Sequence, residues 1–153
     1  MRTVVARQLL PGASVEEAEA LWLDRNRWPS FIDGFGVMSI YHGDWPAPGS
    51  RMVWDSRAGG RGRVVEQVVE YQPAALLRAS VEDPQLTGTQ GVSFHAYDGG
   101  CEIRLELAYE LKRDPGIGAT LTDLFFVRRA LGDALRRTLR RFAVELQADR
   151  DMT

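Results

Sequence analysis

The clearest pattern along the chain is a run at residues 101–113 in which apolar and polar side chains alternate. One side of this run carries Cys101, Ile103, Leu105, Leu107, Tyr109 and Leu111. A period of two with one polar face predicts an antiparallel strand that covers a core on one side. The preceding turn, Asp98-Gly-Gly, is typical of a β-hairpin, so we predict that residues 87–97 form the partner strand.

Five more segments have the character of extended strands. They are residues 2–10, 35–43, 50–57, 62–72 and 76–83, and turn residues bound each of them. All seven prolines fall between periodic segments. Because proline breaks helices and central strands, these positions support the segment boundaries.

Two short helices are predicted after the first strand. Ser14 is followed two and three positions later by glutamates, which is typical of a helix start. The serine hydroxyl can cap free backbone amides, and early acidic residues suit the helix dipole. Trp28-Pro29 interrupts this helix, and a second short helical turn is expected before Gly34.

The longest periodic segment, residues 119–148, predicts a helix about 45 Å long. Leucines and phenylalanines recur at helical spacing on one face, and arginines occupy the other. A basic amphipathic helix can bind anionic membranes or nucleic acid. Acidic residues interleave these arginines, and the apolar face is needed to cover the sheet. We therefore interpret the arginines as a solvated face.

This order of elements predicts an α+β fold in one domain, residues 1–150. Sequential strands without β-α-β alternation exclude a doubly wound parallel sheet. We expect a seven-stranded, curved antiparallel sheet wrapped around the C-terminal helix. A curved sheet that grips a helix does not fill its whole interior with side chains, so we expect a cavity between them.

Composition excludes several classes of protein. The chain has 153 residues, 44% hydrophobic and 26% charged, as in ordinary globular domains. The single cysteine, Cys101, cannot form an internal disulfide, and the net charge of −2 creates no field that recruits nucleic acid. No apolar run has the length of a membrane span. The first residues lack the pattern of a secretory signal, so we expect a cytoplasmic location.

Few side chains suggest chemistry. The two histidines have no nearby paired acids, so we expect no metal site and no cofactor. His95 and Tyr97 share one face of the sixth strand, opposite Val92 and Phe94. If the apolar face points inward, His95 and Tyr97 are surface residues. If the register is reversed, they are the best available acid–base pair, and are weak catalytic candidates.

The expected cavity has its own candidate residues. They come from the Trp-Pro turn, the third strand, the last strand and the first turns of the long helix. These candidate ligand-binding residues are Trp28, Phe31, Trp54, Ile103, Leu105, Leu107, Leu121, Leu124, Phe125 and Arg128. Such sites are concave and mostly apolar, with few polar anchors.

Three stretches carry a resemblance to a known family. They are ALWLDRNRWPSF at residues 20–31, GSRMVW at 49–54, and VEQVVEYQP at 65–73 followed by two leucines. With the order of elements, they resemble the START / Bet v 1-like superfamily, and within it the bacterial polyketide cyclase/dehydrase and lipid-transport group. The glycine-rich loop of plant Bet v 1 proteins is absent, because HGDWPAPG stands at residues 42–49. The resemblance implies a helix-grip fold with a hydrophobic pocket for a lipid, polyketide-like, sterol-like or aromatic ligand.

We therefore predict binding of a small hydrophobic molecule between the sheet and the C-terminal helix, and no nucleic acid partner. The sequence leaves open whether the chain forms a homodimer. One alternative is a polyketide cyclase or dehydratase, in which the pocket orients a flexible chain for proton transfer. The second alternative is a protein-interaction module without a ligand. Because the sequence contains no recognisable catalytic triad, we favour binding.

Overall fold

The computed structural model describes the backbone of residues 1–112 and 121–153, and the side chains of 1–112 and 124–153. Its strands are β1 (Arg2–Pro11), β2 (Phe35–His42), β3 (Arg51–Ser56), β4 (Arg63–Gln72), β5 (Leu76–Glu82), β6 (Leu86–Tyr97) and β7 (Gly100–Leu111). Its helices are α1 (Val15–Leu23), α2 (Trp28–Phe31) and α3 (Leu121–Asp151), with a 3₁₀ turn at Arg25–Arg27. The predicted start of the long helix at residue 119 lies outside the described residues.

The strands form one antiparallel sheet in the order β1-β7-β6-β5-β4-β3-β2. From β2 to β7 each strand pairs with the next along the chain, and β1 joins the sheet beside β7. Tyr97 pairs with Gly100 across the predicted hairpin. Gly99 in that turn has a φ of 97°, a conformation that glycine adopts without a Cβ clash. The predicted seven-stranded antiparallel sheet is confirmed.

The start of α1 also agrees with the prediction. The Ser14 hydroxyl accepts a hydrogen bond from the Glu17 N–H at 3.1 Å, and the Ser14 N–H donates to the Glu17 carboxylate at 3.3 Å. This reciprocal pair is a capping box, which satisfies two backbone donors at the helix end. The inward face of α1 then buries Ala18, Leu21 and Trp22.

One face of the sheet shares its core with α3. The helix buries Leu135, Leu139, Phe142 and Leu146, a spacing that keeps all four on one face. Phe142 packs against Phe31 of α2, with the ring centroids 5.1 Å apart and the rings perpendicular. The long helix, the short helices and the sheet therefore meet in one apolar cluster.

Ion pairs attach α3 to the segment between β1 and β2, which corrects the picture of a simply solvated arginine face. Arg137 and Arg141 of α3 both donate to the Asp33 carboxylate at 3.0 Å. Arg27 donates to Glu145 and Asp149 of α3 at 2.7 and 2.9 Å. These pairs are partly shielded from solvent, so they position the helix over the sheet as well as solubilising it.

Candidate functional site

A cavity of about 80 Å³ lies between the sheet and α3. The residues that line it come from α1, α2, α3, five strands and three connections: Trp22, Trp28, Ile32, Asp33, Trp45, Met52, Trp54, Arg61, Glu66, Leu77, Ala79, Gln90, Val92, Leu105, Leu107, Leu131, Ala134, Leu135 and Thr138. Sites for drug-sized molecules have volumes of about 300–1,000 Å³. A ligand of that size therefore requires the walls to move apart.

Four tryptophans form the aromatic wall of this cavity, defined as Trp22, Trp28, Trp45 and Trp54. The Trp28 indole N–H donates to the backbone oxygen of Trp22 at 2.8 Å, and the Trp45 N–H donates to that of Leu23 at 2.8 Å. Trp28 and Trp45 meet edge to face with ring centroids 5.8 Å apart. Because their polar atoms are bound to the backbone, these rings present apolar surface in fixed orientations.

Glu66 places a carboxyl group in the cavity. It lies on the inward face of β4 between Val64 and Val68, and only 8% of it is exposed. The Trp54 indole N–H donates to its Oε2 at 2.7 Å. Burial raises the pKa of Glu66, an effect larger than the opposing ones of the Trp54 N–H and the Arg61 charge. The neutral acid is therefore more populated than in an exposed glutamate.

Arg61, in the connection between β3 and β4, lines the same cavity. Its Nε donates to Asp83 Oδ2 at 2.9 Å, and its guanidinium carbon lies 5.9 Å from the centre of the Trp54 ring. Asp83 is itself held, because its Oδ1 accepts from the backbone N–H groups of Gln85 and Leu86 at 2.8 and 3.0 Å. The Arg61 Nη2 is buried and has no hydrogen-bond partner among the described residues.

The helical wall of the cavity consists of Leu131, Ala134, Leu135 and Thr138. This spacing places all of them on adjacent positions of one α3 face. The Thr138 hydroxyl accepts from the Asp33 backbone N–H at 2.9 Å. The Arg137 guanidinium lowers the pKa of Asp33, which keeps that carboxylate ionised and bound to the helix.

Four of the predicted ligand-binding residues line the cavity: Trp28, Trp54, Leu105 and Leu107. Two others, Phe31 and Ile103, are fully buried but pack in the core outside the cavity lining. The alternation along β7 was therefore sufficient to find its inward face. It could not show which inward side chains meet empty space and which meet other side chains.

Among the residues predicted at the start of α3, those whose side chains the structure describes do not line the cavity. Phe125 is 60% exposed, and it lines a surface groove together with Arg128 and the β1 residues Thr3 and Val5. Leu124 is half-buried and is not part of the cavity lining. The Leu121 side chain lies outside the described residues. Helical spacing identifies a face of a helix, but the position of the sheet decides which turns of that face are covered.

His95 and Tyr97 lie on the outer side of β6, away from the cavity. Val92 and Phe94 point inward and are 3% and 6% exposed, whereas Tyr97 is 40% exposed. The His95 Nε2 is 3.2 Å from the Ser93 hydroxyl on the same outer face. The structure therefore does not bring these two catalytic candidates to the cavity.

The sequence analysis missed Glu66, Arg61 and Gln90 as cavity residues. An acidic residue with valines two positions before and after it, on one strand face, is the signal that could have revealed Glu66. In β4, however, valines also occupy the other face at Val65 and Val69, so alternation does not show which side is buried. Arg61 stands in a glycine-rich turn, which has no periodicity at all.

Other kinds of site find no support among the described residues. Within residues 1–112 and 124–153, whose side chains are described, no three histidine, cysteine or acidic side chains are grouped as metal ligands. In the same part of the chain, no helix combines the length and apolar character needed to cross a bilayer.

Comparisons with known proteins agree with this architecture. A family model described as polyketide cyclase / dehydrase and lipid transport matches residues 1–147. No curated protein matches. Among solved structures, TTHA0849 from Thermus thermophilus has a TM-score of 0.77 at 19% identity, covering 97% of this chain and 99% of the other. A conserved protein from Geobacillus kaustophilus has a TM-score of 0.72 at 13% identity, covering 96% of each chain.

A third structure is longer than this chain. The di-domain ARO/CYC StfQ from the steffimycin biosynthetic pathway has a TM-score of 0.71 at 17% identity. The match covers 99% of this chain but 52% of StfQ, about the length of one of its two domains. At these identities the similarity shows a shared fold.

Proposed function

Because this chain belongs to the polyketide cyclase / dehydrase and lipid transport family, we propose that it binds a small aromatic, largely apolar molecule in the cavity between the sheet and α3. The observation that carries the proposal is the aromatic wall, four tryptophans around one internal cavity. Aromatic faces attract a planar ring by about 0.5–1.5 kcal/mol beyond the area buried.

The size of the cavity limits the ligand. A volume of about 80 Å³ holds a few water molecules at about 10–15 Å³ each. A ligand of one or two rings needs the least displacement of the walls, whereas a long acyl chain needs much more. We therefore favour a compact ring system over an extended lipid.

A cavity-filling variant tests this proposal. Ala134→Phe adds a ring to the cavity lining, and Ala130→Phe adds the same ring to an exposed position one turn earlier on α3. With indane as the probe, we expect the indole N–H signals of the four tryptophans to shift in a ¹H–¹⁵N NMR titration. The affinity of Ala134→Phe should fall at least tenfold, because the ring occupies the space of the ligand.

Ala130→Phe is the matched control and should bind indane as the unchanged protein does. Equal binding by all three proteins would place the ligand elsewhere. Absence of any indole shift in the unchanged protein, together with no molecule co-purifying in native mass spectrometry, would overturn the proposed function.

A second candidate function, catalysis of cyclisation or dehydration, is favoured by Glu66. A buried carboxyl group with a raised pKa keeps its proton to higher pH than an exposed glutamate does, so it can act as a general acid toward a bound substrate. With a short aromatic-forming poly-β-ketone as substrate, Glu66→Gln should lower turnover at least a hundredfold while the substrate still binds. Unchanged turnover in Glu66→Gln would remove Glu66 from such a mechanism, and no turnover by the unchanged protein would count against the enzyme.

A further inference from the structure

A groove on the outside of the molecule lies between the first half of β1 and the N-terminal half of α3. Its volume is about 450 Å³, and the residues that line it are Thr3, Val4, Val5, Phe125, Arg128, Arg129, Gly132 and Arg136. We propose that an extended acidic segment of a partner protein docks in this groove and joins the sheet as an additional strand beside β1. The inference is independent of the cavity ligand, because the two sites share no lining residue.

β1 presents its backbone edge to this groove. The strand order places β1 at one end of the sheet, so β7 is its only strand partner in the described part of the chain. Side chains of a strand alternate between its two faces, yet three consecutive residues, Thr3 to Val5, line the groove. The groove therefore runs along the backbone of β1, whose outward N–H and C=O groups can pair with another chain.

The helix covers the two halves of this edge unequally. Beside Leu9 and Leu10, near the end of β1, the gap that Leu146 of α3 helps to line is about 40 Å³. Beside Thr3 and Val5 the gap widens to about 450 Å³. A covering helix is one way in which proteins protect an edge strand from unwanted pairing. The first half of β1 is therefore the half that an added strand can reach.

The helical wall of the groove is basic. Arg128 and Arg129 are exposed and have no ion-pair partner among the described side chains. Arg136 pairs with Asp133, whose carboxylate also lies within range of the Arg129 charge. Three arginines against this one described carboxylate leave the wall with a net positive charge, which attracts an acidic partner.

The position of the helix specifies the side chains of the added strand. Val4 is buried on the face of the sheet that α3 covers, so Thr3 and Val5 point to the opposite face. Acidic side chains of the added strand that point toward α3 would meet the arginines. Apolar β-branched side chains on its other face would lie directly beside Thr3 and Val5. The groove therefore fits a segment in which acidic and apolar residues alternate.

Two other occupants match the groove less well. A second copy of the chain, paired through β1, would bring Arg2 and Arg7 to a groove that already holds three arginines. Like charges placed opposite each other destabilise strand pairing. An anionic membrane supplies negative charge, but it has no backbone to pair with the edge of β1.

A fluorescent peptide of alternating glutamate and valine, about six residues long, tests the inference. We expect fluorescence anisotropy to show binding at low ionic strength that weakens as salt is added, because exposed charges carry part of the affinity. Hydrogen exchange of the amides at Thr3–Val5 should slow in the presence of the peptide, whereas exchange at Leu9 should not change.

Two further peptides separate strand pairing from simple charge attraction. The same peptide with a methyl group on every backbone nitrogen keeps its charge and loses its hydrogen-bond donors, so it should not bind. A peptide of alternating lysine and valine keeps the strand-forming pattern and reverses the charge, so it should not bind either.

Variants of the protein locate the site. Arg128→Gln and Arg129→Gln should each lower the affinity for the acidic peptide about threefold, the effect typical of one exposed ion pair. The matched control is Arg140→Gln, an exposed arginine of α3 outside the groove, which should bind as the unchanged protein does. Urea unfolding should show equal stability for all three variants, because the side chains are exposed.

Several results would overturn the inference. They are failure of the acidic peptide to bind at millimolar concentration, equal binding of the methylated peptide, and an equal loss of affinity in Arg140→Gln. Vesicles of phosphatidylglycerol serve as the last probe. Vesicle binding that depends on Arg128 and Arg129, without peptide binding, would assign the surface to a membrane and overturn the inference as well.

Discussion

At the scale of single residues, Glu66 shows how a strand position and its neighbours determine chemistry. The same carboxyl group on the outer face of β4 would be solvated and ionised. On the inward face it is surrounded by Val64, Val68 and the Trp54 ring, and its one described hydrogen bond comes from an indole N–H. One hydrogen-bond donor compensates only part of the hydration that the carboxylate loses on burial. The neutral form of Glu66 is therefore favoured relative to the ionised form.

The pKa of Glu66 predicts a pH dependence of stability. Burial raises this pKa above its ordinary value of 4.5, so the folded state binds more protons than the unfolded state above that pH. The free energy of unfolding should therefore fall as pH rises from 4.5 through the folded pKa, by up to about 1.4 kcal/mol per pH unit. Above the pKa of Glu66 in the folded state, both states carry the ionised carboxylate. The free energy of unfolding then no longer changes with pH on account of this group.

Glu66→Gln cannot ionise and serves as the reference in urea unfolding between pH 4.5 and 8. Asp33 and Glu17 have lowered pKa values, which contribute stability that is lost at lower pH. They are present in both proteins, so the difference between the two curves isolates Glu66. A difference that does not change with pH would mean that Glu66 is ionised throughout this range.

At the scale of elements, α3 depends on the segment between α2 and β2 for its position. Asp33 accepts hydrogen bonds from Arg137 and Arg141, and its backbone N–H donates to Thr138. These contacts lie on the same part of the helix that supplies Leu131, Ala134 and Leu135 to the cavity. One segment of α3 therefore supplies both the ion pairs with Asp33 and the helical wall of the cavity.

Removing the Asp33 charge should loosen this segment. Asp33→Asn loses both arginine partners, and we expect a loss of about 1–2 kcal/mol in the free energy of unfolding, discounted for partial exposure. The matched control is Asp133→Asn, which removes an exposed carboxylate that pairs with Arg136 on the same helix. Urea unfolding measures the stability of both variants, and amide hydrogen exchange of residues 131–138 reports the helix itself.

The control should leave stability and exchange unchanged, because an exposed ion pair within one helix contributes little. Equal losses in the two variants would show that general charge on α3 matters and that the contact with Asp33 does not.

At the scale of the whole molecule, the curved sheet and α3 enclose a space that side chains nearly fill. The aromatic wall and the aliphatic side chains of β5, β6, β7 and α3 leave about 80 Å³ between them. Close packing of this kind makes a cavity resist enlargement, since each displaced side chain loses contacts with its neighbours. Ligand size is therefore the property to which binding should be most sensitive.

Periodicity was sufficient to predict the elements and their order. Alternation in β7, the Asp98-Gly-Gly turn and the capping serine of α1 are local features, and local geometry alone realises them. The inward placement of Leu105 and Leu107 follows from the same alternation. The chain order of hairpins then leaves few ways to assemble the sheet, so the α+β class also follows from the sequence.

Three features depended on the tertiary structure. Whether Glu66 or its neighbours on β4 point inward required the sheet register, because both faces of that strand carry valines. Whether Phe125 and Arg128 or Leu131 and Ala134 meet the cavity required the placement of α3 along the sheet. The meeting of Arg61 with the Trp54 ring required a turn to fold back over a strand. Sequence patterns report the period of a single element, whereas burial, charge pairing and cavities arise between elements, from contacts that no single element encodes.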